Sequence, residues 1–293
     1  MISIVIISKD EASLDGTLTA VTAQAQALEE PAEVVVVDAS DGRLDYIRLR
    51  HQAQVRWVQF DRPPGVAVSI PHQRNAGVRE AKGEIIVFTD SGCRPEPEWL
   101  AHLVRPVLED EHMAAGITIS PPGSTGESVA DRMMVEGTLN NRYIEECSTI
   151  NLVFRREVFD AVGGFDERFA YGSDIDFSWR VTDAGYRIRG VPDAISIHDV
   201  GDLRRQLRRS YVYGKARVRL YRKHRTRLRR VLREDTAVVA YPVFLLGLPL
   251  TLVFPFYPAL LLIPAWRNRS DGVVGVLKNL VFGAGVLAGL ADR

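Results

Sequence analysis

The sequence predicts an α/β domain built on a mainly parallel sheet and followed by C-terminal amphipathic and membrane-associated helices. Three observations lead there. Short, nearly continuous β-branched runs alternate with helical patterns through the first half. Residues 203–233 hold fourteen Lys or Arg and no Asp or Glu. Residues 237–266 run without a charge.

The strands are read at 2–7, 34–37, 55–60 and 84–89, β-branched and nearly continuous in apolar residues, as expected where both sheet faces are covered. Leu14, Leu18, Val21 and Leu28 recur at near-helical spacing between the first two. "RLDYIRLRHQ" and "PHQRNAGVREAKG" fill the next gaps as helices, with Gly83 as the stop of the second. Strand–helix–strand repetition predicts parallel, right-handed crossovers, with ligands at the carboxyl ends of the strands. Asp38 and Asp90 stand at such ends. Residues 121–148 read as a polar helix or loop. "TINLVF" reads as a strand, "RREVFDAV" as a helix and "GGFDE" as a turn. A helix is expected from Asp174 to Ala184, stopped at Gly185, with another strand before His198. The domains expected are 1–202 for catalysis, 203–236 for interface helices and 237–293 for a hydrophobic hairpin.

The 37 basic and 37 acidic residues cancel, so net charge says nothing about partners. Their placement does: outside 203–233 the chain holds 23 Lys or Arg against all 37 acids. A basic stretch next to a long apolar run points to anionic lipid headgroups rather than nucleic acid. Two cysteines, Cys93 and Cys147, have no metal spacing and suit a reducing compartment. The start "MISIVIISKDE" has no basic leader and only a short apolar run, so no secretory signal is expected. The expected location is the inner, cytoplasmic membrane with the first domain cytosolic, because basic flanks stay inside. The five prolines of 237–266 favour a re-entrant path that turns near "PFYP" and keeps Arg267 and Arg269 inside, over one tilted span.

Five segments in order resemble the family-2 glycosyltransferases of the GT-A fold: "SIVIISKDE", "VVVVDASDG", "HQRNAGVREAKGEIIVFTDSGCRPEPEWL", "NLVFRREVFDAVGGFDERF" and "YGSDIDFSWRVTDAGYRI". The resemblance covers about 2–198. It implies an inverting enzyme that moves a sugar from a UDP- or GDP-linked donor to a hydroxyl acceptor, lipid-linked or part of an envelope glycan. It places donor contacts at Ser8, Glu11, Asp38, Arg74, Asn75, Asp90 and Ser91. It also implies a divalent cation, Mg2+ or Mn2+, on an Asp-x-Asp motif. Here the first Asp is Asp90, and Gly92 replaces the second. Three readings follow: a weaker metal site with Asp90 and His198 as ligands, which is preferred; Asp90 on the donor's ribose or sugar with arginines neutralising the diphosphate; or a degenerate site. The last ranks lowest because the general-base segment survives.

In that segment Asp174 matches the family's base and Ser173 replaces its usual Glu. An inverting transfer needs one carboxylate to take the acceptor's proton. A helix N-cap is the plainer reading of the same residue. Asp176 is read as its support, and Trp179 or Trp99 as a sugar platform or core. "QLRRS" resembles a processive-synthase motif and places Arg208 and Arg209 on the acceptor side, but Ser210 stands where Trp is expected. An oxidoreductase is set aside because no Gly-rich turn follows the first strand. A nucleotidyltransferase is set aside because that loop is not Gly-rich and basic. A non-catalytic relative that binds a sugar nucleotide or scaffolds a glycan-assembly complex is the alternative, supported by Gly92 and Ser173.

Overall fold

In the computed structural model, which describes residues 1–121, 129–140, 142–199, 201–267 and 272–292 and the side chains of these except 129–134, 266 and 267, each of the four apolar runs becomes a strand. The order is β1 (Ile2–Ser8), α1 (Leu14–Ala27), β2 (Ala32–Asp38), α2 (Asp45–His51), β3 (Val55–Gln59), α3 (Ile70–Glu80) and β4 (Ile85–Asp90). The strands pair in parallel in the order β3-β2-β1-β4. Ile4, Val5 and Ile6 of β1 and Val35, Val36 and Val37 of β2 are fully buried. Helices cover both faces, so alternate residues have no polar side to turn to. Leu14, Leu18 and Val21 are the buried stripe of α1. Helix α3 presses so closely on β1 that a Cβ on Gly77 would lie 2.3 Å from Val5 Cγ1. Gly83 is not the stop of α3, which ends at Glu80; its amide donates to Ser3 Oγ at 2.8 Å, and it is small because Met1 O lies against it.

The second half departs from parallel alternation. It comprises β5 (Cys93–Pro95), α4 (Trp99–Glu109), β6 (Met113–Ile119), α5 (Val129–Asn140), β7 (Tyr143–Ile144), β8 (Leu152–Arg155), α6 (Arg156–Val162), α7 (Ser173–Asp183) and β9 (Ile188–His198). The order continues β4-β8-β6-β9-β5, with β7 also on β9. Strand β8 is antiparallel to both β4 and β6, and β9 is parallel to β6. The sequence reading leaves β5, α4 and β6 unassigned; its mainly parallel sheet is what forms, with β8 as an antiparallel strand inside it. Because β9 runs the same way as β4, its His198 end lies at the end of the sheet where β1, β2 and β4 finish. The segment 121–148 contains α5 and β7; residues 122–128 and 141 lie outside the described residues.

Asn151 ties this half together. Its Nδ2 donates to Ile117 O at 2.9 Å and Ala194 O at 2.8 Å, bridging β6 and β9 where their register shifts. Its Oδ1 accepts from the buried Trp99 indole at 2.9 Å. A Cβ on Gly116 would strike Ala194 O and both amide atoms of Asn151. A second cluster packs Phe88, Phe154, Phe159, Phe165 and Phe177, with Phe165 and Phe177 stacked at 4.5 Å.

Chain contacts divide the molecule into two units, one of 1–121 with 133–199 and one of 122–132 with 200–293. The second takes the Arg-rich and apolar segments together. It holds α8 (Leu203–Lys223), α9 (Leu228–Arg233), α10 (Ala237–Leu246), α11 (Leu262–Arg267) and α12 (Gly272–Ala291). The stretch 237–266 is not one helix: between α10 and α11 come two 3₁₀ turns, Leu248–Leu252 and Tyr257–Leu261. The chain folds back there, since Tyr257 stacks on Phe244 at 5.1 Å and donates to Phe244 O at 3.0 Å. Arg269 lies outside the described residues, as do 268, 270 and 271.

Replacing Asn151 by Ala would remove the partner of the buried Trp99 N–H and one bond from each of two strand carbonyls. At about 1–3 kcal/mol for each such group, Asn151→Ala should lower the unfolding free energy by about 3 kcal/mol in urea titrations followed by Trp fluorescence. An unchanged midpoint would refute the bridging role.

Candidate active site

Parallel register sets the site. Ser8 pairs with Asp38 and Ile7 with Asp90, so β1, β2 and β4 end level and place three polar residues side by side. Ser8 Oγ and Asp90 Oδ1 are shielded from water and lack a hydrogen-bond partner among the described residues. Buried polar atoms are nearly always partnered, and these two have their free valences at the strand ends where ligands bind in open α/β sheets. Asp38 is buried and accepts from Ser40 Oγ at 2.5 Å and Ser40 N at 3.2 Å. Burial pushes its carboxyl above the usual range, and the Ser40 contacts oppose that shift. Glu11 lies in the turn after β1, where its carbonyl accepts from Leu14 N at 3.1 Å.

The turn after β4 is tightly held. Ser91 Oγ donates to Ile7 O at 2.9 Å, so this hydroxyl fastens the turn to β1. Gly92 N donates to Thr17 Oγ1 at 3.0 Å, and Thr17 Oγ1 donates to Cys93 O at 2.8 Å. Gly92 has φ +86°, and a Cβ there would lie 3.1 Å from Ser13 Oγ. The residue that replaces the expected second Asp therefore sits where an L side chain is strained.

Helix α3 supplies the next layer. Arg74, expected on a phosphate, is buried and turned toward α7: its Nη1 donates to Ser173 Oγ at 3.0 Å and its guanidinium lies 5.6 Å from the Phe165 ring centre. Its Nε is buried without a partner among the described residues. Asn75 is committed elsewhere. Its Nδ2 donates to Phe165 O and Glu167 Oε1, and its Oδ1 accepts from Phe165 N, each at 2.9 Å. It clamps the "GGFDE" turn. Gln73, missed in the sequence, donates to Ser8 O and Val37 O at 3.0 Å each and locks the ends of β1 and β2. A buried Gln one residue before Arg74 was the available signal.

Asp174 is in the first turn of α7, and its Oδ1 accepts from Ile175 N at 3.0 Å. Burial raises its carboxyl pKa; the Arg74 cation pulls it down and the Asp90 carboxylate pushes it up. Arg74, Asp90 and Asp174 thus form one electrostatic group. Asp176 and Trp179 do not join it. Asp176 is fully buried and accepts from Arg180 Nε at 2.8 Å, while Arg180 also donates to Val162 O and Gly164 O. Trp179 is fully buried, its indole donating to Glu146 Oε2 at 3.2 Å. Trp99 is core as well. Arg208 and Arg209 lie on α8, in the other unit. His198 stands opposite Cys93 in the β5–β9 ladder. Burial holds both cysteine thiols up to about 12, which makes them inert at neutral pH.

The pattern of the family described as Glycosyl transferase family 2 matches residues 3–165, more than half of the chain. The chain belongs to glycosyl transferase family 2. A pattern described as Glycosyl transferase family group 2 also matches residues 86–266. Among curated relatives, the family-2 chain is 27% identical to the glycosyltransferase AglE of Haloferax volcanii over 164 residues, 54% of this chain and 53% of the relative. It is 25% identical to the pre-mycofactocin glycosyltransferase of Mycobacterium tuberculosis over 185 residues, 59% of this chain and 39% of the relative. It therefore spans about half or less of the length of these relatives. The fold is that of the mannosyltransferase PcManGT from Pyrobaculum calidifontis, solved in complex with GDP-Man and Mn2+. That match has a TM-score of 0.71 at 18% identity and covers all of this chain and 87% of the other.

The family-2 site fits a divalent cation in one respect: Asp90 Oδ1 is a buried oxygen without a partner, the ligand type hard cations take. Among the described residues no group of three or more His, Cys, Asp or Glu is placed to hold one. Mg2+ needs few protein ligands when substrate phosphates complete its shell.

Gly92→Ala should cost about 1 kcal/mol of stability, read as a lowered urea midpoint. Gly92→Asp should cost a similar amount, so restoring the family's second carboxylate strains this turn. A wild-type midpoint for the Ala variant would show that the backbone does not require glycine.

Proposed function

We propose that this chain is an inverting glycosyltransferase that moves a sugar from a UDP- or GDP-linked donor to a hydroxyl on a lipid-linked or envelope-glycan acceptor. The grouping of Asp174 with Arg74 and Asp90 beside level strand ends carries the reading. Asp38, Ser8 and Glu11 take the nucleoside, and Asp90 and Ser91 the diphosphate end. Asp174 takes the acceptor's proton as its oxygen bonds to the anomeric carbon. The bond from that carbon to the donor's phosphate oxygen breaks on the opposite face, and the nucleoside diphosphate leaves with the electron pair. Mg2+ or Mn2+, held by Asp90 with His198 as the second candidate ligand, would neutralise charge on the leaving diphosphate. The metal-bound structure of PcManGT supports a cation here.

The boundaries 1–202, 203–236 and 237–293 are kept as the working division into catalytic, interface and membrane-associated parts. The first faces the cytosol, and the second carries cations to anionic headgroups. Gly92 and Ser173 favour the scaffold reading, in which donor binds without transfer. Ser173 nevertheless has a task, since its hydroxyl receives Arg74.

Asp174→Asn separates the two. It should keep donor affinity by calorimetry and lose about 10²–10⁴-fold in transfer rate; wild-type transfer by this variant would remove Asp174 as base. The base must be ionised to act, and its raised pKa puts the acid limb of kcat/KM above the pH of an ordinary carboxylate. Arg74→Met removes the cation that holds the pKa down, so the limb should move to still higher pH. A limb that stays put would contradict the pairing.

Asp90→Ala should weaken donor binding and abolish the response to added Mn2+ together. Full activity in EDTA, with Asp90→Ala still inactive, would instead leave cationic side chains to stabilise the diphosphate.

A further inference from the structure

The end of the sheet opposite Asp90 carries a cavity of about 610 Å³. It lies between the turn from α4 to β6, the start of β7 and the turn from α7 to β9. Strand β9 begins here at Ile188 and reaches the Asp90 end of the sheet at His198. The seven residues of β6 run alongside it, so about 20 Å of sheet separates the cavity from the strand ends described above. Pockets of this size hold small molecules.

The charges of the cavity are sorted rather than paired. The Arg187 guanidinium lies 4.3 Å from the Tyr143 ring centre, and that of Arg142 lies 5.5 Å from it. Two cations are thus held within about 10 Å of each other, close to one Debye length at 0.1 M salt. Both residues are exposed, and neither guanidinium has a carboxylate partner among the described residues. Carboxylates are at hand, since Glu109, Asp110 and Glu111 line the same cavity. Glu109 and Asp110 are exposed on the turn after α4, while Glu111 accepts from the Tyr143 hydroxyl at 2.9 Å. One tyrosine therefore keeps cations against its ring and an acid at its hydroxyl. The frame is fixed, because the Arg142 carbonyl accepts from Gly190 N and from Arg189 Nη1, each at 3.0 Å. An anion alone would meet the acids of this wall, and a neutral polyol would leave two guanidiniums without a counter-charge. A ligand with an anionic end and a hydroxyl-rich body uses both. Guanidinium forks take phosphate oxygens, and carboxylates accept from sugar hydroxyls.

We propose that this cavity is a second ligand site of the chain, for a sugar phosphate, with Arg142 and Arg187 on the phosphate and Glu109 and Asp110 on the hydroxyls. It stands apart from the transfer site and does not depend on the activity proposed above. Calorimetry of the full chain with glucose 1-phosphate, mannose 1-phosphate and galactose 1-phosphate tests it. At least one should bind at millimolar concentration or below, and its parent sugar and inorganic phosphate should each bind about tenfold more weakly or worse. The double variant Arg142→Gln with Arg187→Gln changes two exposed positions. It should keep the wild-type urea midpoint and lose about tenfold or more in affinity, while Asp90→Ala should leave the affinity unchanged. Absence of binding by all three, equal affinity for inorganic phosphate, binding that survives the double variant, or binding lost with Asp90→Ala would each overturn the proposal.

Discussion

Burial on both faces of β1, β2 and β4 is the constraint from which the rest follows. A strand with helices above and below has no solvent side, so its polar chemistry is confined to its ends. The register of these strands brings the ends level, and Ser8, Asp38 and Asp90 stand in one row. Gln73 then fixes the row by holding the carbonyls of Ser8 and Val37 from the adjacent helix. A ligand site built this way is rigid before anything binds, which limits the reorganisation that binding must overcome.

The second layer is electrostatic and comes from one helix. Arg74 and Asn75 are neighbours in sequence but serve different ends. Asn75 locks the turn at Phe165, and that turn presents the ring beside which the Arg74 guanidinium lies. Arg74 in turn holds Ser173, the residue before Asp174. The donor-side helix and the helix carrying the proposed base are thus joined through one buried cation. That cation has the right sign to keep Asp174 ionised against its own burial. A family Glu at position 173 would compete with Asp174 for the same guanidinium. The hydroxyl of Ser173 leaves the full charge of Arg74 to act on its neighbour.

Much of this was legible in the sequence, and the exceptions have physical causes. The four apolar runs and the helix beginning near Asp174 are local patterns, and each is found within a residue or two of where it was expected. The strand-end position of Asp38 and Asp90 follows from the same patterns. What was not legible depends on contacts distant in sequence. Nothing local says that β8 inserts antiparallel between β4 and β6, because direction is set by partners. Composition cannot tell which way Arg74 turns, since a phosphate and Ser173 attract the same guanidinium. Asp176 and Trp179 belong to a helix with three nearly enclosed faces, so residue types that suit sugar binding serve as core instead. Gly92 reads as a lost ligand until its positive φ is known; it then reads as a turn requirement.

The C-terminal unit shows the same limit of local patterns with larger energies. By length and composition α12 is apolar enough to cross a bilayer, yet α8, with seven arginines and two lysines, packs along it. An unpaired arginine at a bilayer midplane costs about 2.5–3.5 kcal/mol, so a basic helix packed on an apolar one is a conflict that the hydropathy of either segment alone does not show. The glycines at 214, 285 and 289 make separation of the two helices unfavourable, because they place backbone against backbone with no side chain to spare. The apolar length of α12 is covered in part by α8 and α10, which pack on its glycines.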